Sequence, residues 1–368
     1  MAHNPKRLSR LRAVMGEQGI DVLYVRELSN ISWATGFERV FDDEPAHALV
    51  VSARNCVLHT DSRYFDAMKS AAADADIEVD NSRMAHSAVL AQVSDCIDGD
   101  IVRVGIEDSM PLAEYRALQR TFEGRAIDLV ELSGFVEELR QVKDESEITA
   151  MRKAQSITDA AFANIIAFMK PGMTEREVQI ELEDFMVRHG AEGLAFPSIV
   201  ACGANGASPH SVPGATKLEA GQCVVMDFGA RAQGYCSDMT RTVFLGEPSE
   251  RLRAGYAAIR DANEQVEAVL RPGMTGKEAH ELAEHVLAEH GFAGKMGHSL
   301  GHGVGIDIHE EPLLSPRNGA PLAPGNVVTV EPGVYLAGDF GMRLEDFGVI
   351  TENGYEVFTQ STHEMIVL

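Results

Sequence analysis

No stretch of this 368-residue chain reaches the ~18 consecutive apolar residues that a membrane-spanning helix needs. Basic residues near the start, Lys6, Arg7, Arg10 and Arg12, are not followed by the apolar segment of a secretory signal. Cysteine is scarce and scattered. Cys56, Cys96, Cys202, Cys223 and Cys236 form no CxxC pair, which argues against a disulfide framework and points to reduced thiols in the cytoplasm. Positive charge is also short: 32 basic residues face 56 acidic ones, a net −24. Such a surface repels phosphate backbones and anionic lipid, so neither nucleic acid nor membrane is an expected partner.

What is present is an ordinary globular composition, 45% hydrophobic and 24% charged, in a chain long enough for two unequal domains. The first third alternates helix-like and strand-like segments. Leu8, Leu11, Val14 and Met15 have helical spacing, a short strand is expected at 21–25, and 48–51 with 56–59 read as a hairpin. A further buried strand is expected at 101–106. This predicts an α/β domain over residues 1–133 that lacks any dense cluster of ligands and serves as scaffold or substrate gate. A second domain, 134–368, opens with the helical spacing of Ile148, Met151, Ala154, Ile157 and Ala161.

That second domain repeats itself. Lys170-Pro-Gly-Met-Thr174 returns roughly 100 residues later as Arg271-Pro-Gly-Met-Thr275, a period that marks a duplicated supersecondary unit. Glu177 matches Glu278 and His189-Gly190 matches His290-Gly291, so each copy reads as a Thr-capped helix ended by glycine. Behind each helix an apolar strand ends in an acid, Asp227 in one half and Glu331 in the other, followed by Gly229 and Gly333. A second acid follows each, Asp238 and Glu345, and His210-Ser-Val-Pro213 resembles His309-Glu-Glu-Pro312.

Acids at the ends of buried strands are costly unless something positive meets them. Facing halves would bring Asp227, Asp238, Glu331 and Glu345 together, and four carboxylates in one place call for cations. Ion pairs to Arg241 or Arg343 are the plainer alternative for any single acid. An oxygen-rich set with one or two histidines and no cysteine suits Mn²⁺ or Co²⁺ rather than a structural zinc site. The glycine-rich segment 297–309 adds His298, His302 and His309 beside the acids. His280, His285 and His290 fall on different helix faces and are expected to be solvated.

These residues, in this order, resemble the metallopeptidase family that holds methionine aminopeptidase, aminopeptidase P and prolidase, over about residues 145–368. Asp227, Asp238, His302 in Gly-His-Gly-Val-Gly-Ile-Asp-Ile-His-Glu, Glu331 in Val-Glu-Pro-Gly-Val-Tyr and Glu345 in Arg-Leu-Glu-Asp match its five ligands. The resemblance implies an α+β pita-bread fold with a pseudo-twofold repeat, preceded by a smaller creatinase-like α/β domain. It implies two divalent ions, manganese first with cobalt or zinc as alternatives, held by Asp227, Asp238, His302, Glu331 and Glu345. Glu331 would also be the general base, His210 and His309 the catalytic histidines, His298 a residue of the proline pocket, and Arg343 a support for the carboxylates. The extra N-terminal domain is similar to the proline-specific branch, so a homodimeric enzyme cleaving between an N-terminal residue and proline in short peptides is implied. A metal-free creatinase-like hydrolase and a non-catalytic scaffold share the fold, but both would lack these ligands.

Overall fold

The computed structural model describes residues 5–37, 39–42 and 44–368. The chain forms two compact units, Met1–Arg140 and Gln141–Leu368.

In the first unit a six-stranded mixed sheet runs in the order Glu78–Asp80, Cys56–His59, Ala48–Ser52, Val22–Val25, Val102–Glu107, Ile127–Leu132. The expected hairpin pairs antiparallel with Ala48 opposite His59 and Val51 opposite Cys56. Val22–Val25 and Ala48–Ser52 are buried at every position, as unbroken apolar runs require of strands covered on both faces. The one hydroxyl within Val22–Val25, on Tyr24, donates to Glu114 Oε1 at 2.9 Å, which satisfies the polar tip of an otherwise buried ring.

The second unit is built from two similar halves. In the first, helices Glu145–Phe168 and Glu175–Arg188 belong with the sheet Ile199–Cys202, Cys223–Phe228, Met239–Phe244, in which Cys223–Phe228 is central. In the second, helices Glu250–Val269 and Gly276–Glu289 belong with Gly301–Gly303, Val327–Val330, Asp346–Thr351, flanked by Glu310–Leu314 and Gly354–Val357. Each half has its own apolar cluster. Ile165, Leu182, Val224, Met226 and Phe228 lie in one; Ile259, Val286, Leu287, Val328 and Val330 lie in the other. Side chains of this size contribute about 1.5–3 kcal/mol each when fully buried, so each half is stabilised mainly by its own helices on its own sheet.

Local chemistry explains the matching helices. The Thr174 hydroxyl accepts from Glu177 N at 3.1 Å, while the Glu177 carboxylate accepts from Thr174 N at 2.7 Å. Thr275 and Glu278 repeat the exchange at 3.1 and 2.8 Å. Two orphan amide donors are thereby satisfied at each helix start. Each helix is followed by a glycine with left-handed backbone, Gly190 at φ 103° and Gly291 at φ 85°, a conformation that side chains other than glycine rarely adopt.

Removing either cap hydroxyl should cost about 1 kcal/mol and removing both about twice that, because the sites are independent. Urea unfolding of Thr174→Ala, Thr275→Ala and the double variant measures it; a double variant no weaker than either single would contradict the independence of the halves.

Candidate metal centre and active-site cavity

Strand pairing places the acids. Asp227, on Cys223–Phe228, lies opposite Thr240, so Asp238 stands just beyond the paired end of Met239–Phe244. Glu331 directly follows Val327–Val330, and Glu345 directly precedes its partner strand Asp346–Thr351, with Val330 opposite Asp346. Each hairpin therefore delivers two acids to one end. Gly229 permits this in the first half: a Cβ there would collide with the Ser237 carbonyl, next to Asp238.

All nine candidate residues, His210, Asp227, Asp238, His298, His302, His309, Glu331, Arg343 and Glu345, line a single cavity of about 790 Å³. That volume is in the range of pockets that take small organic ligands. Asp227, Asp238 and Glu345 are buried, whereas His210 and His309 are exposed.

His302 sits on Gly301–Gly303 with its Nδ1 at 2.9 Å from the Gly303 carbonyl. A carbonyl only accepts, so Nδ1 carries the proton and Nε2 presents a lone pair. That lone pair faces Glu331 Oε1 at 3.4 Å and Asp238 Oδ2 at 3.5 Å. Burial first, then the charge of His309, pushes the His302 pKa down to about 3, so the ring is neutral at pH 7 and cannot pair with these carboxylates.

The carboxylates are equally uncomfortable. Burial, reinforced by the charges of neighbouring acids, Glu345 foremost on Asp238 and Glu331 on Glu345, holds Asp238 and Glu345 well above the usual carboxylate range. Burial raises Glu331 to about 7 and lifts Asp227 as well, against the pull of Arg343. Asp227 Oδ1 is buried without a hydrogen-bond partner. Ligand atoms of Asp238, His302 and Glu345 lie within 4.8 Å of one another. An imidazole lone pair aimed at carboxylate oxygens, beside an orphaned carboxylate oxygen, is a donor set that a divalent cation satisfies.

Several contacts fix these donors. Arg343 donates to Asp227 Oδ2, to the Tyr335 hydroxyl at 3.0 Å and to Thr240 Oγ1 at 2.9 Å. Thr240 in turn donates to Glu345 Oε2 at 2.6 Å. The Tyr335 hydroxyl lies 2.9 Å from His298 Nε2, and His298 Nδ1 donates to the Ser299 carbonyl at 2.7 Å. Thr329 Oγ1 accepts from the His302 amide at 3.0 Å and lies 3.3 Å from Glu331 Oε1. The segment carrying His309 is tied down by its neighbour Glu310, which pairs with buried Lys143 at 3.0 Å. The His302 and His309 rings meet edge to face at 4.4 Å.

Of the two arginines offered as plain ion-pair partners, Arg343 does engage an acid of the cluster, Asp227. Arg241 instead engages Asp346 at 2.7 Å, and His363 holds the other Asp346 oxygen at 2.5 Å. Asp346 adjoins Glu345 in the chain, and alternation along a strand sends the two carboxylates to opposite faces. Among the helix histidines, His285 and His290 are exposed as expected, but His280 is half-buried with its Nδ1 unpartnered, and burial lowers its pKa.

Tyr335, Thr240 and Thr329 were not singled out by the sequence. Tyr335 and Thr240 stand inside the very motifs that carry Glu331 and Asp238, but a hydroxyl gives no charge or periodicity signal until its partners are placed. The apolar lining from Phe196, Ile199, Val212 and Leu313 was also not legible, because these residues come from separate loops and strands.

Residues 149–352 match the metallopeptidase family M24, and residues 7–142 match the creatinase/prolidase N-terminal domain. The chain belongs to family M24. Its two parts are thus the creatinase-type N-terminal domain and the pita-bread catalytic domain, and family membership makes it a metallopeptidase dependent on divalent ions. An uncharacterized peptidase, YqhT of Bacillus subtilis, is 39% identical over 98% of this chain and 100% of its own length. The Xaa-Pro dipeptidase of Lactobacillus delbrueckii subsp. lactis is 31% identical over 98% of both chains. Among solved structures, the Xaa-Pro dipeptidase from Bacillus anthracis superposes with a TM-score of 0.91 at 36% identity, covering 99% of each chain. An X-Pro aminopeptidase from Thermotoga maritima gives 0.86 at 33% identity, covering 98% of this chain and 100% of its own.

The raised carboxylates set a pH dependence for metal uptake. Glu331, ordinarily near 4.5 and here about 7, is partly protonated at pH 6 and must release its proton to become a ligand. Divalent-ion binding should therefore release more protons and be weaker at pH 6 than at pH 8. Calorimetric titration with Mn²⁺ in buffers of different ionisation enthalpy measures this; pH-independent affinity would contradict it.

Proposed function

We propose that this chain is an Xaa-Pro peptidase in which Asp227, Asp238, His302, Glu331 and Glu345 hold two divalent ions, manganese being the best match to the donor set. The observation that carries the reading is the neutral His302 lone pair facing Asp238 and Glu331 beside Asp227 and Glu345, in a cavity of substrate size. Names of full-length relatives at 29–31% identity, Xaa-Pro dipeptidases of Pyrococcus horikoshii and Lactobacillus delbrueckii, support the proline assignment. A metal-free hydrolase or a scaffold is not favoured, because all five ligand positions are intact.

Divalent ions at these side chains would supply Lewis acidity towards the scissile carbonyl and towards water. Glu331, its position fixed near Thr329 and Arg343, accepts a proton from the attacking water and returns it. His309, exposed in the cavity and set against His302, donates a hydrogen bond to the oxyanion that develops on the carbonyl oxygen. His210 delivers a proton towards the departing proline nitrogen, which as a tertiary amide leaves poorly unprotonated. His298, oriented through Tyr335 to Arg343, lines the place of the proline ring.

Two results test this division of labour. His309→Ala should retain its metal content and fold while losing turnover, whereas Asp238→Asn should lose metal; metal loss from the His309 variant would make His309 a ligand instead. Replacing Ala-Pro by Ala-Ala should lower kcat/KM at least about tenfold, the scale on which a shaped apolar pocket discriminates. Equal rates on the two dipeptides would remove proline specificity and leave a broad metallopeptidase.

A further inference from the structure

Lys143 is a buried cation that the chemistry above does not use. Its ammonium is 1% exposed and meets Glu310 Oε2 at 3.0 Å, with the Glu310 side chain itself 8% exposed. A buried ion pair stabilises a fold little compared with apolar residues of similar volume, because both charges lose their water. What such a pair does supply is a fixed distance between the two segments that carry it. Here those segments are residues 141–143, just before helix Glu145–Phe168, and the loop that runs from His302 to His309.

The loop is closed around the Glu310 carboxylate. Gly303 pairs with Glu310 across the two strands, and Glu310 Oε1 accepts from the Asp307 amide at 3.1 Å. A Cβ on Gly305 would run into both oxygens of that carboxylate, so the chain passes over it only where no side chain stands. Among the described residues the His309 imidazole makes no hydrogen bond of its own; its ring rests edge to face on His302 at 4.4 Å. Its place therefore depends on Glu310, the next residue. Lys143 is held in turn: its amide donates to the Gly325 carbonyl at 2.9 Å, Val142 bridges Asn326, and Asn326 Nδ2 donates to the Gln141 carbonyl at 3.1 Å. Asn326 directly precedes the strand Val327–Val330, which delivers Glu331. The base of Lys143 is thus registered on the strand of the proposed general base, and its tip on the loop of the proposed oxyanion donor.

We infer that Lys143 is a positioning residue for turnover: by gripping Glu310 it keeps the His309 imidazole against His302 and in register with Glu331, while touching neither substrate nor metal. This rests on the reading of His309 as the oxyanion donor. His302 has separate anchors in the Gly303 carbonyl and Thr329, so the loop can lose the grip at Glu310 and still present its metal ligand.

The test measures Ala-Pro hydrolysis, metal content and thermal unfolding of the full chain in the wild type, in Lys143→Met/Glu310→Gln, in His309→Ala and in the variant that combines all three changes. Removing both charges together leaves no lone buried ion, so the double variant should fold with a midpoint close to wild type. Its kcat should fall roughly tenfold to a hundredfold, the scale of a misplaced catalytic group, with KM and metal content unchanged. Made in the His309→Ala background, the same two changes should lower kcat by less than about twofold, because no imidazole is left to position. Gly305→Ala, whose methyl group displaces the same carboxylate without altering a charge, should reproduce the pattern. Equal fold losses with and without His309, or metal lost in step with kcat, would make Lys143 a general support and overturn the inference while leaving the role of His309 intact. Unchanged turnover in His309→Ala would instead overturn the reading of His309 on which the inference stands.

Discussion

Four carboxylates, three of them buried and Glu331 half-buried, cannot share a few ångströms with a neutral imidazole without a cation between them or protons upon them. Each acid left in place raises the cost of ionising the next, and burial removes the water that would screen them. Arg343 relieves only part of this: it donates to Asp227 and approaches Glu331 and Glu345 at 3.9 and 4.0 Å. Asp238 gains only the reach of its charge, a lesser influence there than burial and the neighbouring acids, and the His302 lone pair gains nothing. The rest of the catalytic unit is arranged so that this unfavourable cluster stays assembled: two hairpins, each with its own helices and apolar cluster, present their acids towards one cavity.

Stability and site are therefore supplied by different residues. The apolar clusters of the two halves stabilise the sheets, while the ends of those sheets carry groups that cost free energy in the absence of metal. Small hydroxyl residues mediate between the two. Thr240 joins Glu345 to Arg343, and Thr329 joins the His302 backbone to Glu331, so that carboxylate orientation follows from strand register. Asp346 shows how the same strand handles a buried acid outside the cavity: a guanidinium and an imidazole meet it directly, and its pKa is lowered to about 2, with Arg241 the leading favourable influence. Next to it, Glu345 accepts from Thr240, has Arg343 no nearer than 4.0 Å, and is raised by burial and by the charges of Glu331 and Asp227.

The fold was largely legible because duplication leaves a signal that survives divergence. Pro-Gly-Met-Thr recurs since the capping box and the chain turn before it need those residue types, and a strand ending in an acid is conspicuous against its apolar run. The hairpin at Ala48–Ser52 and Cys56–His59 and the strand at Val102–Glu107 were equally visible from β-branched runs. Placement was harder to read. Histidine spacing does not say that His302 donates through Nδ1 to its own neighbour's carbonyl, or that His280 is half-buried while His285 is not.

The two halves are not equivalent where it matters chemically. Each contributes two acids, but Gly301–Gly303 carries His302 where the matching strand reads Ile199-Val-Ala-Cys202, with no imidazole. Arg343 stands two residues before Glu345, whereas the residue two before Asp238 is the buried Cys236. His298 and His309 also belong to the second half, and of the candidate histidines His210 comes from the first. A strictly twofold site would treat both ends of a bound peptide alike. A peptide has an amine at one end and a carboxylate at the other, so selective cleavage requires that the symmetry be broken. Here the carboxylate pairs keep the symmetry, and the histidines and arginines depart from it, which is the departure that a polar, directional substrate requires.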